Sequence, residues 1–224
     1  MKILAIDTST KYFCLGLYDK GKVYEYTLET GKNLSRVITA HIKRVLDSIG
    51  WEAEDIDYFA CGIGPGSFTG IRIGVATIKG LSWALNKPIA AIPSLDILAM
   101  NANTDKYIVP VVDAKRNLIY CSVYKKKGTR LQRLGPYMLL DEKKLCRKIK
   151  KDSALLGDAL NLYKPKILSS VKGIQVLDKD YWLPQARNII SLALEKIKEN
   201  KLKNSFEIKP IYLYPKECQV RNHK

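Results

Sequence analysis

The chain has 224 residues, enough for two compact subdomains or one large α/β domain with a buried core. Hydrophobic residues make up 46% and charged residues 27%; no run reaches the ~18 apolar residues of a membrane span, and the start, MKILAIDTST, turns polar too early for a secretion signal, so a cytoplasmic protein is expected. The formal net charge of +16, from 38 Lys+Arg against 22 Asp+Glu, produces a field that favours polyanions.

Residues 2–30 alternate in the manner of three consecutive strands, KILAIDTS, FCLGLYD and KVYEYTLE, with turns at Thr10–Tyr12 and Lys20–Lys22. Residues 34–49 set Leu34, Ile38, Ile42, Val45 and Ile49 on one helical stripe. DYFACGIG reads as a buried strand, GIRIGVATIKGLSWAL as a helix, KPIAAIP as a strand and SLDILAM as a short helix. The beginning then recurs. YIVPVVDAKRNLIYCSVYKKKG matches KILAIDTSTKYFCLGLYDKG in an apolar strand ending in Asp, a polar turn, and a second apolar strand ending in Tyr. The spacing from Asp7 to Tyr18 equals that from Asp113 to Tyr124, which predicts two similar halves, each a hairpin continuing into helix and parallel strand. Beyond lie LQRLGPYMLL, a basic helix DEKKLCRKIKK, strands SALLGDA and IQVLD, and a helix ARNIISLALEKIKEN. NANTD, at 101–105, interrupts the pattern and places the boundary between a first half, 1–103, and a smaller, degenerate second half, 104–224.

The stretch GIGPGSFTG, residues 62–70, passes from strand into helix. A glycine-rich loop leading to a helix start is a recipe for holding phosphate. The spacing, however, is neither GxxxxGK[ST], since Lys79 precedes Gly80 deep in the helix, nor GxGxxG. The residues dictate a turn instead: Pro65 fixes one backbone angle, the glycines permit positive φ, and Ser67 or Thr69 caps the helix. The helix has an apolar face of Ile71, Val75, Ile78 and Leu85 and a small-residue face of Gly70, Gly74, Thr77, Leu81 and Ala84. Such a helix is either interior to its own domain or meets the core with one face and a partner chain with the other.

Asp7 and Asp113 each end a strand at a tight turn. Facing one another across a cleft they would suit Mg²⁺ and phosphates; capping their own turns is the alternative. The cysteines Cys14, Cys61, Cys121, Cys146 and Cys218 form no CxxC pair and read as reduced, and His41 and His223 have no metal-ligand spacing. A nucleophilic Cys61 beside the glycine loop is outweighed by a buried strand cysteine. Residues 115–134 hold seven basic side chains and no acidic one. They read as a lysine-rich solvated surface, with an RNA-facing surface as the competitor, because no aromatic-interleaved RNA module is visible.

ILAIDTST, GIGPGSFTGIRIGVATIKGLSWAL, IPSLDILA, VVDAKRNLIYCSVY and the tail KPIYLY together resemble the TsaB (YeaZ) family, the non-catalytic paralogues of TsaD/Kae1. The resemblance is most specific at GPGSFTGIRIG, covers residues 2–125 and loosens toward the tail. It implies an α/β, actin-like and sugar-kinase-like (ASKHA) fold of two duplicated subdomains with a ribonuclease H-like motif. It also implies a scaffold for the threonylcarbamoyl modification of adenosine 37 in tRNA. Such a scaffold pairs with TsaD and the ATPase TsaE, meets tRNA through the complex, forms a homodimer when TsaD is absent, and has no catalytic residues, metal or cofactor of its own. The partner-binding helices map onto 34–50 and 70–86, with Leu34, Ile38, Ile42, Val45, Gly70, Arg72, Gly74, Thr77 and Leu81 as contacts. Asp7, Thr8, Ser9, Gly64, Gly66 and Asp113 would be a vestigial nucleotide site. The paralogue's metal-binding HxxxH pair has no counterpart here, which implies neither transferase nor glycoprotease activity for the chain alone. Many members begin the first helix with His-Ser-Glu, where this chain has Leu34-Ser35-Arg36. Two rival functions are a small actin-fold ATPase or kinase using Asp7 and Asp113 with Mg²⁺, and an RNA-binding module acting through residues 115–133.

Overall fold

The computed structural model describes residues 1–128 and 130–215; Cys218 and His223 lie outside the described residues. Three antiparallel strands open the chain, β1 (Lys2–Asp7), β2 (Tyr12–Asp19) and β3 (Lys22–Glu29), followed by α1 (Leu34–Ser48), β4 (Tyr58–Gly62), α2 (Phe68–Leu85), β5 (Ile89–Ile92) and α3 (Ser94–Ala99). The sheet order is β3-β2-β1-β4-β5, with β1, β4 and β5 parallel. β1 reads as a continuous apolar run because it is covered on both faces. Leu4 and Ile6 face a core completed by α1 and α2, whereas Ile3 and Ala5 face Ala186, Ile189 and Ala193.

The second half repeats the plan. β6 (Tyr107–Lys115), β7 (Leu118–Cys121), β8 (Tyr124–Lys127), β9 (Arg130–Arg133) and β10 (Met138–Leu140) precede α4 (Glu142–Lys148), β11 (Ser153–Leu156), α5 (Leu160–Ser170), β12 (Gln175–Val176) and α6 (Ala186–Lys198). The order β10-β7-β6-β11-β12 reproduces that of the first sheet strand for strand, with β8 and β9 added as a hairpin on β6. The stretch 118–124, read as one strand, is broken at Ser122 and Val123, where the Ser122 hydroxyl donates to the carbonyl of Pro136 (3.0 Å). Tyr124 nevertheless pairs with Ile108 as Tyr18 pairs with Ile3, displaced by one residue through the irregularity between Asp113 and Lys115.

The last helix of each half packs on the other half's sheet. α3 contributes Leu95, Leu98 and Ala99 to the second core, while α6 contributes Ala186, Ile189, Ile190 and Ala193 to the first. The strands of the two sheets lie within residues 2–92 and 107–176, but the layers do not divide in the same way, because the segment from 186 onward lies on the first sheet. Beyond α6 the chain bridges to β5 through Lys203, and Ile208 enters the first core.

Two helical details differ from the sequence reading. On α1 the buried stripe is Leu34, Ile38, Ile42 and Leu46, and Val45 and Ile49 are only half-buried. α5 has no counterpart among the elements expected from the sequence, because Pro165 lies inside it and lacks the N–H that would reach back one turn. Burial of Leu160, Tyr163 and Ile167 holds that helix in place.

Candidate functional site

Asp7 is fully buried rather than turned toward a cleft. One carboxylate oxygen accepts from the Ser9 N–H (2.9 Å) and the Ser9 hydroxyl (2.7 Å), and the other accepts from the Ser94 hydroxyl (2.6 Å). Burial raises its pKa above the ordinary carboxylate value, opposed by the hydrogen bonds from Ser94 and Ser9. On the adjacent strand Gly62 is required, since a Cβ there would overlap the Asp7 carboxylate.

The glycine-rich loop is likewise bound from within. The Gly64 N–H donates to the Ser94 hydroxyl (3.0 Å), and the Ser94 N–H donates to the Gly64 carbonyl (2.8 Å). The Ser67 N–H donates to the Ser9 carbonyl (2.7 Å), and Ser67 is the helix cap, its hydroxyl accepting from the Gly70 N–H (3.2 Å). The Thr8 hydroxyl donates to the Gly70 carbonyl (2.8 Å). Gly70 and Gly74 are pressed against Thr8, where neither has space for a Cβ. The loop turns the chain, and its amides at 64, 67 and 70 are engaged inside the protein.

A cleft of about 600 Å³ separates the halves. Ser9, Lys11 and the 66–69 segment line one side, Asp113, Lys115 and Asp158 the other. The Asp113 carboxylate accepts from the Lys115 N–H (2.8 Å) and pairs with its ammonium, while the Asp113 N–H donates to Asp158 (2.9 Å). Of the expected nucleotide residues, Ser9, Gly66 and Asp113 reach the cleft, and Asp7, Thr8 and Gly64 do not line it. The opposed pair of carboxylates is thus not formed, because Ser9 and Ser94 hold Asp7 inside the first half. The tail crosses this cleft: the Ile211 N–H donates to the Ile63 carbonyl (2.8 Å), the Tyr212 hydroxyl accepts from Arg72 (3.0 Å), and the Tyr214 hydroxyl donates to the Ala114 carbonyl (2.8 Å).

Among the residues expected to touch a partner, Leu34, Ile38, Ile42, Gly70 and Gly74 are buried in the first half itself. Val45, Thr77 and Leu81 are half-buried, and Arg72 is exposed, stacked 3.7 Å over the Phe68 ring. Leu34, at the place of the family's polar helix start, is buried as its apolar side chain dictates. The open face of α2 lies elsewhere. Ala76, Gly80 and Ala84 are exposed at every fourth position, a Cβ on Gly80 would meet nothing, and Trp83 beside them is 70% exposed. The spacing of those small residues is readable in the sequence, but the adjoining Gly70–Gly74 stripe offers the same pattern and competes with it.

Cys14, Cys61 and Cys121 are buried, and burial raises each thiol's pKa, that of Cys121 to about 12. None of the three is an activated nucleophile. His41 shares a hydrogen bond with the Tyr26 hydroxyl (2.8 Å). Among the described residues no three His, Cys, Asp or Glu side chains are grouped to hold a metal, and no helix is long and apolar enough to cross a membrane.

Two ribonuclease H-like sheets, exchanged terminal helices and a cleft between them define an α/β protein of the actin-like, ASKHA class. A family model described as TsaD: tRNA N6-adenosine threonylcarbamoyltransferase matches residues 28–176. The chain is 34% identical over 172 residues to the Bacillus subtilis tRNA threonylcarbamoyladenosine biosynthesis protein TsaB, covering 75% of each. It is 33% identical to the protein of the same description from Buchnera aphidicola subsp. Schizaphis graminum, covering 84% of this chain and 90% of that one. A solved Pseudomonas aeruginosa structure described as similar to peptidase YeaZ has a TM-score of 0.85 at 24% identity, covering 95% of this chain and 99% of its own. The chain belongs to the TsaB (YeaZ) family.

Proposed function

We propose that this chain serves the biosynthesis of threonylcarbamoyladenosine in tRNA as a scaffold without catalysis of its own. It docks a TsaD-type subunit, in a complex that also includes TsaE, through the outer surface of α1 and α2, and forms a homodimer through the same surface when that subunit is absent. The role in tRNA modification is the one carried in the names of its TsaB relatives. The observation that carries the docking reading is the outer face of α2, where Ala76, Gly80 and Ala84 leave the backbone open beside an exposed Trp83. Small residues permit close helix approach, and a large exposed aromatic supplies a buried anchor once covered. The absence of catalysis is supported by the sealing of Asp7 and by the internal use of the loop amides, which leave the ATPase reading without the first of its two carboxylates. Light-scattering size exclusion of the chain with the TsaD of its own organism tests the proposal. A heterodimer at micromolar concentration is expected, and Gly80→Leu should abolish it while leaving the thermal melt within a few degrees of wild type. A wild-type chain that fails to pair, or a Gly80→Leu variant that pairs as well as wild type, overturns it.

A further inference from the structure

The +16 charge is not spread over the molecule. Residues 1–103 carry 11 Lys+Arg against 10 Asp+Glu, a net +1, and residues 104–224 carry 27 against 12, a net +15. A lysine-rich composition bias would load both halves of one chain alike. The imbalance instead follows the duplication: one half is near neutral and the other is a polycation.

Within the second half the fold gathers lysines that are remote in sequence. Lys125 on β8 lies 4.9 Å over the ring of Tyr107, at the start of β6, and Lys150, in the loop after α4, lies 4.5 Å over the same ring. The Tyr107 N–H donates to the Asp152 carbonyl (3.2 Å), so the 150–152 loop is seated against the first residue of β6. Lys127 projects to the same side of its strand as Lys125, two residues along, and Lys151 is exposed next to Lys150. Lys126, in contrast, is turned inward toward the Met100 carbonyl (3.5 Å).

Of the acids flanking this surface in sequence, Asp105, two residues before Tyr107, is exposed and, among the described residues, in no ion pair, while the others are engaged. Asp152 pairs with Lys106, and Glu199 pairs with Arg130 and Lys201. Among the described residues Lys125, Lys127, Lys150 and Lys151 have no ion-pair partner. Like charges brought together in excess of the acids beside them disfavour the folded chain unless an anion relieves them.

We propose that the face formed by β8 and the 150–151 loop binds the phosphate backbone of RNA directly, Lys125, Lys127, Lys150 and Lys151 each neutralising phosphate charge. The RNA rather than another polyanion rests on the tRNA role adopted above; the charged surface stands independently of it. Contacts of this kind fix position and affinity without reading sequence, and they place tRNA on the second half while the first half engages the protein partner.

The test is fluorescence anisotropy of an unmodified tRNA transcript with the full chain alone, over a series of salt concentrations. The triple variant Lys125→Gln, Lys127→Gln, Lys150→Gln should weaken binding at least tenfold at low salt and flatten the log–log salt dependence by about 2 to 3. A control removing the same charge from the first half, Lys20→Gln, Lys22→Gln, Lys87→Gln, should change affinity less than twofold. Equal loss in both triples would reduce the effect to net charge and overturn the proposal. So would a wild-type chain that does not bind tRNA, or one that binds phosphatidylserine vesicles in its place. Size exclusion with TsaD is run on the same variants: retained pairing with lost RNA binding is expected, whereas lost pairing with retained RNA binding would strike the docking proposal and overturn the assignment of these lysines to RNA.

Discussion

Asp7 and Asp113 occupy equivalent places, each toward the carboxyl end of the first strand of its sheet, yet their surroundings differ. Asp7 is sealed by two serines, one from its own turn and one from α3, and α2 closes over the strand end with Gly70 and Gly74 against Thr8. Asp113 lines the cleft and is met by an exposed lysine. The second half has no helix with glycines in the positions of Gly70 and Gly74; its corresponding helix, α5, carries Pro165 and buries Leu160, Tyr163 and Ile167 instead. Duplicated topology therefore fixes where a carboxylate sits along a strand, and the packing of the following helix decides whether it lines the cleft.

The strongest way to break this comparison is Gly74→Leu. Because its side chain must occupy the space of Thr8, the variant should lose more than about 3 kcal/mol of stability or fail to fold, whereas Gly80→Leu on the same helix folds. A thermal melt of the two side by side decides whether the inner and outer faces of α2 are correctly assigned.

The two aspartates can be separated next. Asp7→Ala leaves an N–H and two hydroxyls without their acceptor and should cost about 2–3 kcal/mol, while Asp113→Ala leaves one N–H, that of Lys115, and an exposed ammonium without their acceptor and should cost less, about 1 kcal/mol. The sign of the pH effect follows from the raised pKa of Asp7. The folded state holds its proton more tightly than the unfolded state, so the contribution to stability is complete below the ordinary carboxylate pKa and declines as pH rises through the folded value. Asp7→Asn, which keeps an acceptor for Ser9 and has no charge to bury, should remove that decline. Urea unfolding of wild type and variant from pH 4 to pH 8 measures it, and an unchanged pH slope would mean that Asp7 is ionised at no cost.

The smallest effect concerns the tail that joins the halves. Tyr212→Phe deletes the hydrogen bond with Arg72 but keeps the ring 5.1 Å from that of Phe68, and should lower stability by about 1 kcal/mol or less. A larger loss in a denaturant titration would show that the tail does more than cover the cleft.

Much of this architecture is legible in the residues alone. The alternation of residues 2–29, the Asp-turn-Tyr repeat and a helix cap at Ser67 or Thr69 arise from local periodicity and turn chemistry, which a sequence displays directly. The sequence places Ile71, Val75 and Ile78 of α2 on the core, where they are, but leaves open whether Gly70 and Gly74 meet the chain itself or a partner, and only the position of Thr8 shows that the approach is made by the chain's own first strand. α5 is hidden by a proline that its buried side chains outweigh.

The sequence by itself determined the duplicated hairpin-and-helix plan, the family and the excess of basic side chains, since each is a matter of residue identity and spacing. Tertiary structure alone decided that Asp7 is closed, that α3 and α6 exchange sheets, and that lysines from β8 and the 150–151 loop converge beside Tyr107. These depend on contacts between segments tens of residues apart, and such contacts are set by how layers pack rather than by any local pattern.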